Sequence, residues 1–235
     1  MKVPAMKRRD FLAMATMAAT AGYATAGPAE PKLLLPSDTP DENGFRIMWY
    51  NPVPPIDQKT YRLKISGLVE KPVEMTIDEL RSFPQETQSS RLKCVQCWSA
   101  RATWGGFRFQ HLLDLVKPSE TARAIRIDSA DKWYDHMSLQ EMLSPRTLVT
   151  LDFNGKPLPD NHGAPVRLIL PFKYGHKSSK LVTSIEFVAE AKGSLALDLA
   201  PYYSQAGDIL PGYDHPLDLG ANVRKKISGG EITEY

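Results

Sequence analysis

The chain has 235 residues, of which 42% are hydrophobic and 24% charged, so it is long enough to bury a core in one domain or a closely packed pair. That composition excludes a disordered or fibrous protein. The net charge of +2 originates in the first 26 residues and leaves the remainder near neutral, which gives no support to a nucleic-acid or membrane-surface partner. With 19 prolines and 15 glycines, the chain favours many turns and a β-rich or α+β fold.

Residues 1–26 are predicted to be a twin-arginine signal peptide. Arg8 and Arg9 precede a modestly apolar stretch, and Ala24-Thr25-Ala26 has the small-x-small form that signal peptidase accepts. An anchoring helix is the weaker alternative, because the apolar run is well short of the roughly 20 residues that a membrane span needs. The twin-arginine route exports folded proteins, so the signal predicts a periplasmic protein that acquires a complex cofactor before export.

Residues 27–58 are rich in proline, aspartate and asparagine and are predicted to form an extended arm over the core of a main domain, residues 59–235. Alternating apolar residues predict strands, and a Thr or Ser followed three residues later by Glu predicts a helix with a capping box. In chain order, the predicted elements are strand 60–67, helix 76–83, strand 91–95, helix 109–116, strand 124–129, helix 138–143, and strands 148–153, 166–170 and 181–188. Residues 98–106 are predicted to be a loop, and the stretch from Leu195 to wrap around the core.

Cys94 and Cys97 are the only cysteines and form a C-x-x-C motif. Such a pair in an exported protein is by default a disulfide, a thiol–disulfide redox centre or half of a zinc site. A zinc site lacks its second pair of ligands, haem attachment lacks the histidine that Trp98 replaces, and the following residues do not form a convincing helix to lower the thiol pKa. A structural disulfide remains open, as does a thiolate ligand to a soft transition metal.

Two later segments carry further polar groups. His162 and Arg167 flank a rigid Gly-Ala-Pro turn, and residues 171–180 combine a glycine with three lysines, a histidine and two serines. The second segment has the composition of a phosphate cradle but lacks the Walker spacing, so a solvated basic loop is the alternative. Together with the cysteines, these segments predict a metal thiolate plus an anionic organic cofactor.

Residues 91–99, followed by Trp104-Gly105-Gly106-Phe107, resemble the molybdenum-ligand segment of the sulfite-oxidase superfamily of molybdopterin enzymes. The form Cys-Val-x-x-Trp-Ser is most similar to the periplasmic methionine-sulfoxide reductase branch. His-Gly-x-Pro-x-Arg at 162–167 and Lys-Tyr-Gly-His-Lys-Ser at 173–178 follow in the order and spacing of the family, as does Asp-His-Pro at 214–216. The resemblance implies an α+β, mostly β, sulfite-oxidase-type fold with short helices and long loops.

The resemblance also implies roles for individual residues. Cys94 would be the single protein ligand to molybdenum in a Mo-molybdopterin cofactor, with Cys97 a buried neighbour. His162 and Arg167 would hydrogen-bond the pterin and its phosphate, and Ser129 matches a threonine that touches the cofactor in the reductase branch. The full set of implied cofactor contacts is Tyr50, Cys94, Ser129, His162, Arg167, Gly175, His176, Lys177 and Lys180.

The function implied is an exported molybdenum-dependent oxidoreductase that reduces S-oxide-type substrates, either small molecules or protein-bound groups. Sulfite oxidation is the alternative within the superfamily, but Met48-Trp49-Tyr50 and Ser99 stand where sulfite oxidases place arginines for the substrate anion. A thiol–disulfide oxidoreductase and an exported β-rich binding module are alternatives from other classes. The sequence has no haem motif, so electrons would come from an external membrane haem protein or cytochrome c type protein. No dimerisation domain of the sulfite-oxidase kind follows residue 190, which favours a monomer or a heteromer with the redox partner.

Overall fold

The computed structural model describes residues 33–37, 39–94, 98–199 and 204–209, together with the backbone of two short strands near the C-terminus. The predicted signal peptide, Cys97, His215 and Pro216 lie outside the described residues. No helix in the described ranges is both long and apolar enough to cross a lipid bilayer.

The described chain is mostly strand with short helices, as the sequence predicts. Three of its four α-helices are at predicted positions, whereas the helix Leu195–Leu199 was not predicted, because the stretch from Leu195 was expected only to wrap around the core. The helices are α1 Ile77–Arg81, α2 Gln110–Val116, α3 Leu139–Met142 and α4 Leu195–Leu199. The strands are β1 Leu63–Gly67, β2 Val73–Met75, β3 Glu86–Lys93, β4 Ser99–Phe107, β5 Ala124–Ser129, β6 Tyr134–Ser138, β7 Leu148–Phe153, β8 Lys156–Pro157, β9 Arg167–Ile169, β10 Val182–Val188, β11 Tyr213–Asp214 and β12 Lys225–Lys226. The short helices begin where the sequence signals them: Thr76 and Ser138 both form complete capping boxes with the glutamate three residues on.

The first sheet has the strand order β2-β1-β10-β5-β6, in which β1 and β10 are parallel and the other pairs antiparallel. Alternate residues of β1 are buried, Leu63 and Ile65 among them, because one face of this sheet packs on the larger hydrophobic core. Helix α2 adds Leu112 and Leu113 to the same core. This sheet carries the C-terminal end of β5, where Ser129 lies.

The second sheet has the order β3-β4-β7-β8, with β9 also paired to β7. Strands β3 and β4 form a long antiparallel hairpin from the pair Glu86–Gly106 to the pair Lys93–Ser99. Gly106 is needed where β4 crosses β7, because a Cβ at this position would lie 2.0 Å from the carbonyl oxygen of Val149. Cys94 directly follows the last of these pairs, Lys93–Ser99, and lies at the end of the hairpin.

The expectation of a loop at 98–106 is wrong, because these residues form most of β4. Ala100, Ala102 and Trp104 are buried while Arg101 and Thr103 are exposed, which is the alternation of a strand with one covered face. The two glycines suggested a loop, but they lie at a register shift between β4 and β7. Strand β3 also begins five residues earlier than predicted, and β6 was not predicted at all.

Residues 33–37 and 39–58 contain no helix and form isolated bridges, Leu34 with Val53 and Ser37 with Ile47. Phe45, Ile47 and Trp49 are buried from this segment. They pack with the hairpin residues in a second hydrophobic core, separate from the one under the first sheet. The N-terminal segment thus covers one face of the second sheet, next to the hairpin that carries Cys94.

Candidate functional site

Cys94 lies at the turn of the β3–β4 hairpin and is half-buried. Its backbone N–H donates to the carbonyl oxygen of Trp98 over 2.9 Å, which closes the turn. Strands precede and follow the C-x-x-C motif, so Cys94 does not stand at the helix N-terminus that activates thiols in thiol–disulfide centres. Lys93, the residue before it, forms a parallel bridge with Tyr174 and brings the 173–180 segment beside the turn.

Two of the three lysines in that segment are already neutralised by carboxylates. Lys173 Nζ lies 2.5 Å from Glu141 and 2.6 Å from Asp208. The fully buried Lys177 donates to Asp135 Oδ1 over 2.6 Å and to the carbonyl oxygen of His136 over 2.8 Å. The basic composition of the segment therefore does not make it a solvated basic loop; its lysines Lys173 and Lys177 hold it to the body of the fold.

Gly175, His176 and Lys177 form one turn of 3-10 helix in this segment. The ring of His176 is stacked on Tyr174, with 6.4 Å between centroids. Burial, and then the charge of Lys177, lower the pKa of His176 to about 3, so this side chain is a neutral imidazole at physiological pH. Gly175 packs close to the end of β3, where a Cβ would lie 3.5 Å from the carbonyl oxygen of Lys93.

Lys180 differs from the other two lysines because none of the described carboxylates lies within ion-pair distance of it. Its Nζ donates to the carbonyl oxygen of Met48 and lies 3.7 Å from the ring centroid of Trp49. Burial, and then the charge of Arg167, lower the pKa of Lys180 to about 7, while Asp131 opposes this shift. Gly163 makes the position possible, since a Cβ there would lie 2.6 Å from Lys180 Cβ.

Arg167 is a buried cation that, like Lys180, has no carboxylate partner in the described part of the chain. It is only 4% exposed, one Nη1–H donates to the carbonyl oxygen of His162 over 2.9 Å, and Nε has no partner. The guanidinium lies over the ring of Trp104, with Cζ 4.7 Å from the centroid. Burial lowers the pKa of Arg167 to about 9, because surroundings that exclude water disfavour the charged form.

His162 is held by the N-terminal segment. Its Nε2 lies 2.7 Å from Asp41 Oδ2, and its ring stacks on Phe153 with centroids 4.1 Å apart. Burial, and then the charge of Arg167, lower the pKa of His162 to about 4, against the opposing effect of Asp41. The neutral imidazole therefore donates its Nε2–H to Asp41, and its orientation is fixed between Asp41 and Phe153.

Ser129 and Tyr50 lie around Asp131. Ser129 is buried at the end of β5 and its Oγ has no hydrogen-bond partner. The backbone N–H of Tyr50 donates to Asp131 Oδ2 over 3.1 Å. Ala130, which follows Ser129, donates its backbone N–H to the carbonyl oxygen of Leu181. This bond places the end of β5 beside Lys180.

The arrangement fits an anionic cofactor. Arg167 is buried and Lys180 is half-buried, both have lowered pKa values, and a charge withdrawn from water is costly unless an opposite charge accompanies it. Unpartnered buried hydrogen-bonding atoms on Ser129, Ser179 and Arg167 are available to a bound phosphate or pterin. Among the described residues no three His, Cys, Asp or Glu side chains come together, and the thiol of Cys94 is the soft donor group beside this region.

Three residues that shape the region were not found in the sequence. Asp41 orients His162, Asp135 neutralises Lys177, and Trp49 lies against Lys180. Their partners are 121, 42 and 131 residues away along the chain, so no local motif indicates them. Asp135 also lies on β6, the strand that was not predicted.

The lowered pKa of Lys180 predicts a pH dependence of stability in the cofactor-free chain. In the unfolded chain Lys180 has the ordinary lysine pKa. Between about pH 7 and 10 the unfolded state therefore binds more protons than the folded state. The free energy of unfolding rises with pH in this range, by at most about 1.4 kcal/mol per pH unit from this group. Below pH 7 the lysine is protonated in both states and contributes no slope. Urea unfolding over this range should show a smaller slope for Lys180→Met than for the wild type; equal slopes would contradict the prediction.

Comparisons with known proteins agree with this geometry. The sequence profile described as the oxidoreductase molybdopterin-binding domain matches residues 50–195. The protein-methionine-sulfoxide reductase catalytic subunit MsrP of Campylobacter jejuni is 30% identical over 184 residues, which is 71% of this chain and 62% of that protein. The chain thus spans less than two thirds of this relative. The crystal structure of the sulfane dehydrogenase SoxCD from Paracoccus pantotrophus superposes with a TM-score of 0.57 at 22% identity, covering 60% of this chain and 41% of that one, and shows a shared fold.

Proposed function

The chain belongs to the oxidoreductase molybdopterin-binding domain family and is an oxidoreductase of the sulfite-oxidase type, and on that premise we propose that it is an exported molybdenum enzyme that reduces S-oxide-type substrates with electrons from a haem protein. The observation that carries the proposal is a pair of cations, the buried Arg167 and the half-buried Lys180, neither of which has a described carboxylate within ion-pair distance. The adjoining hairpin presents Cys94.

In this proposal Cys94 is the protein ligand to molybdenum, because a thiolate is the donor that a soft, redox-active metal prefers. The bound cofactor supplies oxygen-atom and electron transfer chemistry at the metal. Arg167 and Lys180 hold the phosphate of the pterin, and each recovers its charged state beside that anion. In the same segment, Gly175 and His176 would line the cofactor site. Lys177 would hold this segment in place through its salt bridge to Asp135.

His162, Ser129 and Tyr50 complete the proposed contacts. Because Nε2 of His162 is used by Asp41, the neutral ring presents its other nitrogen as an acceptor for pterin N–H groups. The unpartnered Oγ of Ser129 is available to the same ligand, and Tyr50 is held beside it through Asp131.

A neutral S-oxide suits this chain better than sulfite. A sulfite dianion needs guanidinium groups at the substrate position, whereas the segment before the Pro-Val-Pro turn presents Trp49, whose ring lies against Lys180. The relative from Campylobacter jejuni, a methionine-sulfoxide reductase by name, supports an S-oxide. That relative is also named as a catalytic subunit, which supports an external partner as the electron source.

Export is part of the same proposal. Residues 1–26 would direct the folded protein to the periplasm, residues 27–58 would form the arm and residues 59–235 the catalytic domain. Arg167 is buried, so a cofactor that contacts it lies inside the folded chain. This agrees with insertion of the cofactor before the folded protein is exported.

The experiment is expression with the native N-terminus in a bacterial host that makes molybdopterin. We expect the periplasmic protein to contain stoichiometric molybdenum and pterin, and reduced viologen dye to supply the electrons for its reduction of methionine sulfoxide. We expect sulfite to cause no reduction of an oxidised acceptor dye. Metal-free protein from a host that fills a control molybdoenzyme would contradict the cofactor assignment. Sulfite-dependent reduction of an acceptor dye would instead assign the sulfite-oxidising alternative.

A further inference from the structure

The outer face of the β3–β4 hairpin carries a cluster of arginines that the proposed cofactor pocket does not use. Arg91 and Arg101 are directly opposite each other across the two strands, a placement that like charges disfavour. Arg101 is exposed and Arg91 half-buried. Within the described ranges, their guanidinium groups donate to serine hydroxyls, Arg91 to Ser99 over 3.2 Å and Arg101 to Ser89 over 3.4 Å.

A third arginine borders this pair. Arg146 donates to the carbonyl oxygen of Ser89 over 3.1 Å. Burial, followed by the charges of Arg108 and Arg101, lowers the pKa of Arg146, so these guanidinium groups are close enough to repel one another. We call Arg91, Arg101 and Arg146 the arginine face.

The two opposed arginines, Arg91 and Arg101, have no carboxylate partner among the described residues. Glu86 is the only acid between residues 85 and 110, and it is bound by Arg108 at 2.7 Å. Repulsion inside a partly exposed cluster costs stability without a folding benefit, which is typical of a surface kept for an acidic partner.

The position of the face indicates what such a partner does. Arg91 lies on the strand that ends at Cys94, three residues before it, or about 10 Å along the strand. A redox protein seated on the arginine face would therefore bring its own centre close to the proposed metal ligand. Reduction of one S-oxide takes two electrons and two protons and releases the sulfide and water, so two ferrous haems are oxidised to the ferric state in each turnover.

We propose that the arginine face is the docking surface for an acidic haem protein that delivers electrons to the Cys94 site. This inference rests on the proposed function and adds the location and charge of the partner's contact surface. Electrostatic steering across such a face raises association rates and makes them fall as salt is added.

The test compares two ferrous probes, an acidic soluble b-type cytochrome and a basic cytochrome c, as electron donors to the cofactor-containing enzyme with methionine sulfoxide present. We expect the acidic probe to react faster at low salt, and R91Q/R101Q to lower its second-order rate constant about tenfold and flatten its salt dependence. The matched control, K59Q/K64Q, removes two exposed charges before and within the first sheet and should leave the rate close to that of the wild type.

Two further readouts separate failure of this surface from failure of the function. Reduction of the S-oxide by viologen dye, which needs no docking, should be the same in R91Q/R101Q and wild type. Binding of the acidic probe by surface plasmon resonance should weaken in R91Q/R101Q even in cofactor-free protein. Normal dye-driven activity with no preference for the acidic probe, or equal losses in both double variants, would overturn the docking surface and leave the function standing; absence of dye-driven activity would overturn the function itself.

Discussion

Cys94→Ser is expected to abolish the thiolate-to-metal absorption band and to lower S-oxide reduction by at least about 10²-fold, since loss of even an indirect partner of a metal ligand costs 10–100-fold. Cys94 closes the hairpin turn through its backbone N–H, and serine retains that bond, so the fold should persist. The pterin should also remain bound, because Arg167 and Lys180 lie on other segments. Metal and pterin analysis, visible spectra and dye-driven turnover measure the three effects separately.

Cys97→Ser is the matched control for this experiment. If one cysteine is the metal ligand, Cys97→Ser should retain the spectrum and the activity. A thiol–disulfide mechanism requires both thiols, so equal inactivation by the two substitutions, in protein without metal, would assign that class instead. The strands on both sides of the motif already argue against the helix N-terminus that such a mechanism uses.

Local signals in the sequence were sufficient for most of the fold. The capping boxes at Thr76 and Ser138 and the alternation in β1, β5 and β10 depend on neighbouring residues only, and each was found at its place. Strand β4 was missed because its two glycines serve a close approach to β7, which is a tertiary reason for a residue that usually signals a loop. Strand β6 lacks a comparable local signal.

The candidate site was predicted as residue types and not as an arrangement. The sequence placed three lysines in the 173–180 segment but could not show that Lys173 and Lys177 are neutralised by Glu141, Asp208 and Asp135. That distinction depends on contacts between distant parts of the chain. Of the three lysines, only Lys180 has no described carboxylate within ion-pair distance. The composition of the segment does not reveal this difference.

Arg167→Met is expected to have opposite effects on the cofactor-free and the cofactor-containing protein. Without the cofactor, methionine replaces a buried charge that has no described carboxylate partner, which stabilises the fold. The substitution also removes the hydrogen bond to His162, and the net increase in the free energy of unfolding should be about 1 kcal/mol. With the cofactor, the same change removes a charge-assisted bond to an anion, so pterin retention should fall at least about tenfold. Denaturant unfolding of protein from a host unable to make molybdopterin, and pterin analysis of protein from a competent host, give the two values.

Arg81→Met is the control for these opposite effects on the cofactor-free and the cofactor-containing protein. Arg81 is a half-exposed arginine that already has a carboxylate partner, Asp152 Oδ1 at 2.9 Å, so its loss should slightly destabilise the protein with or without cofactor. Arg167→Lys should restore part of the pterin retention, because it keeps the positive charge but not the planar set of donors. If Arg167→Met destabilised both forms equally, Arg167 would be a structural residue of the second sheet; opposite signs require a negatively charged ligand beside it.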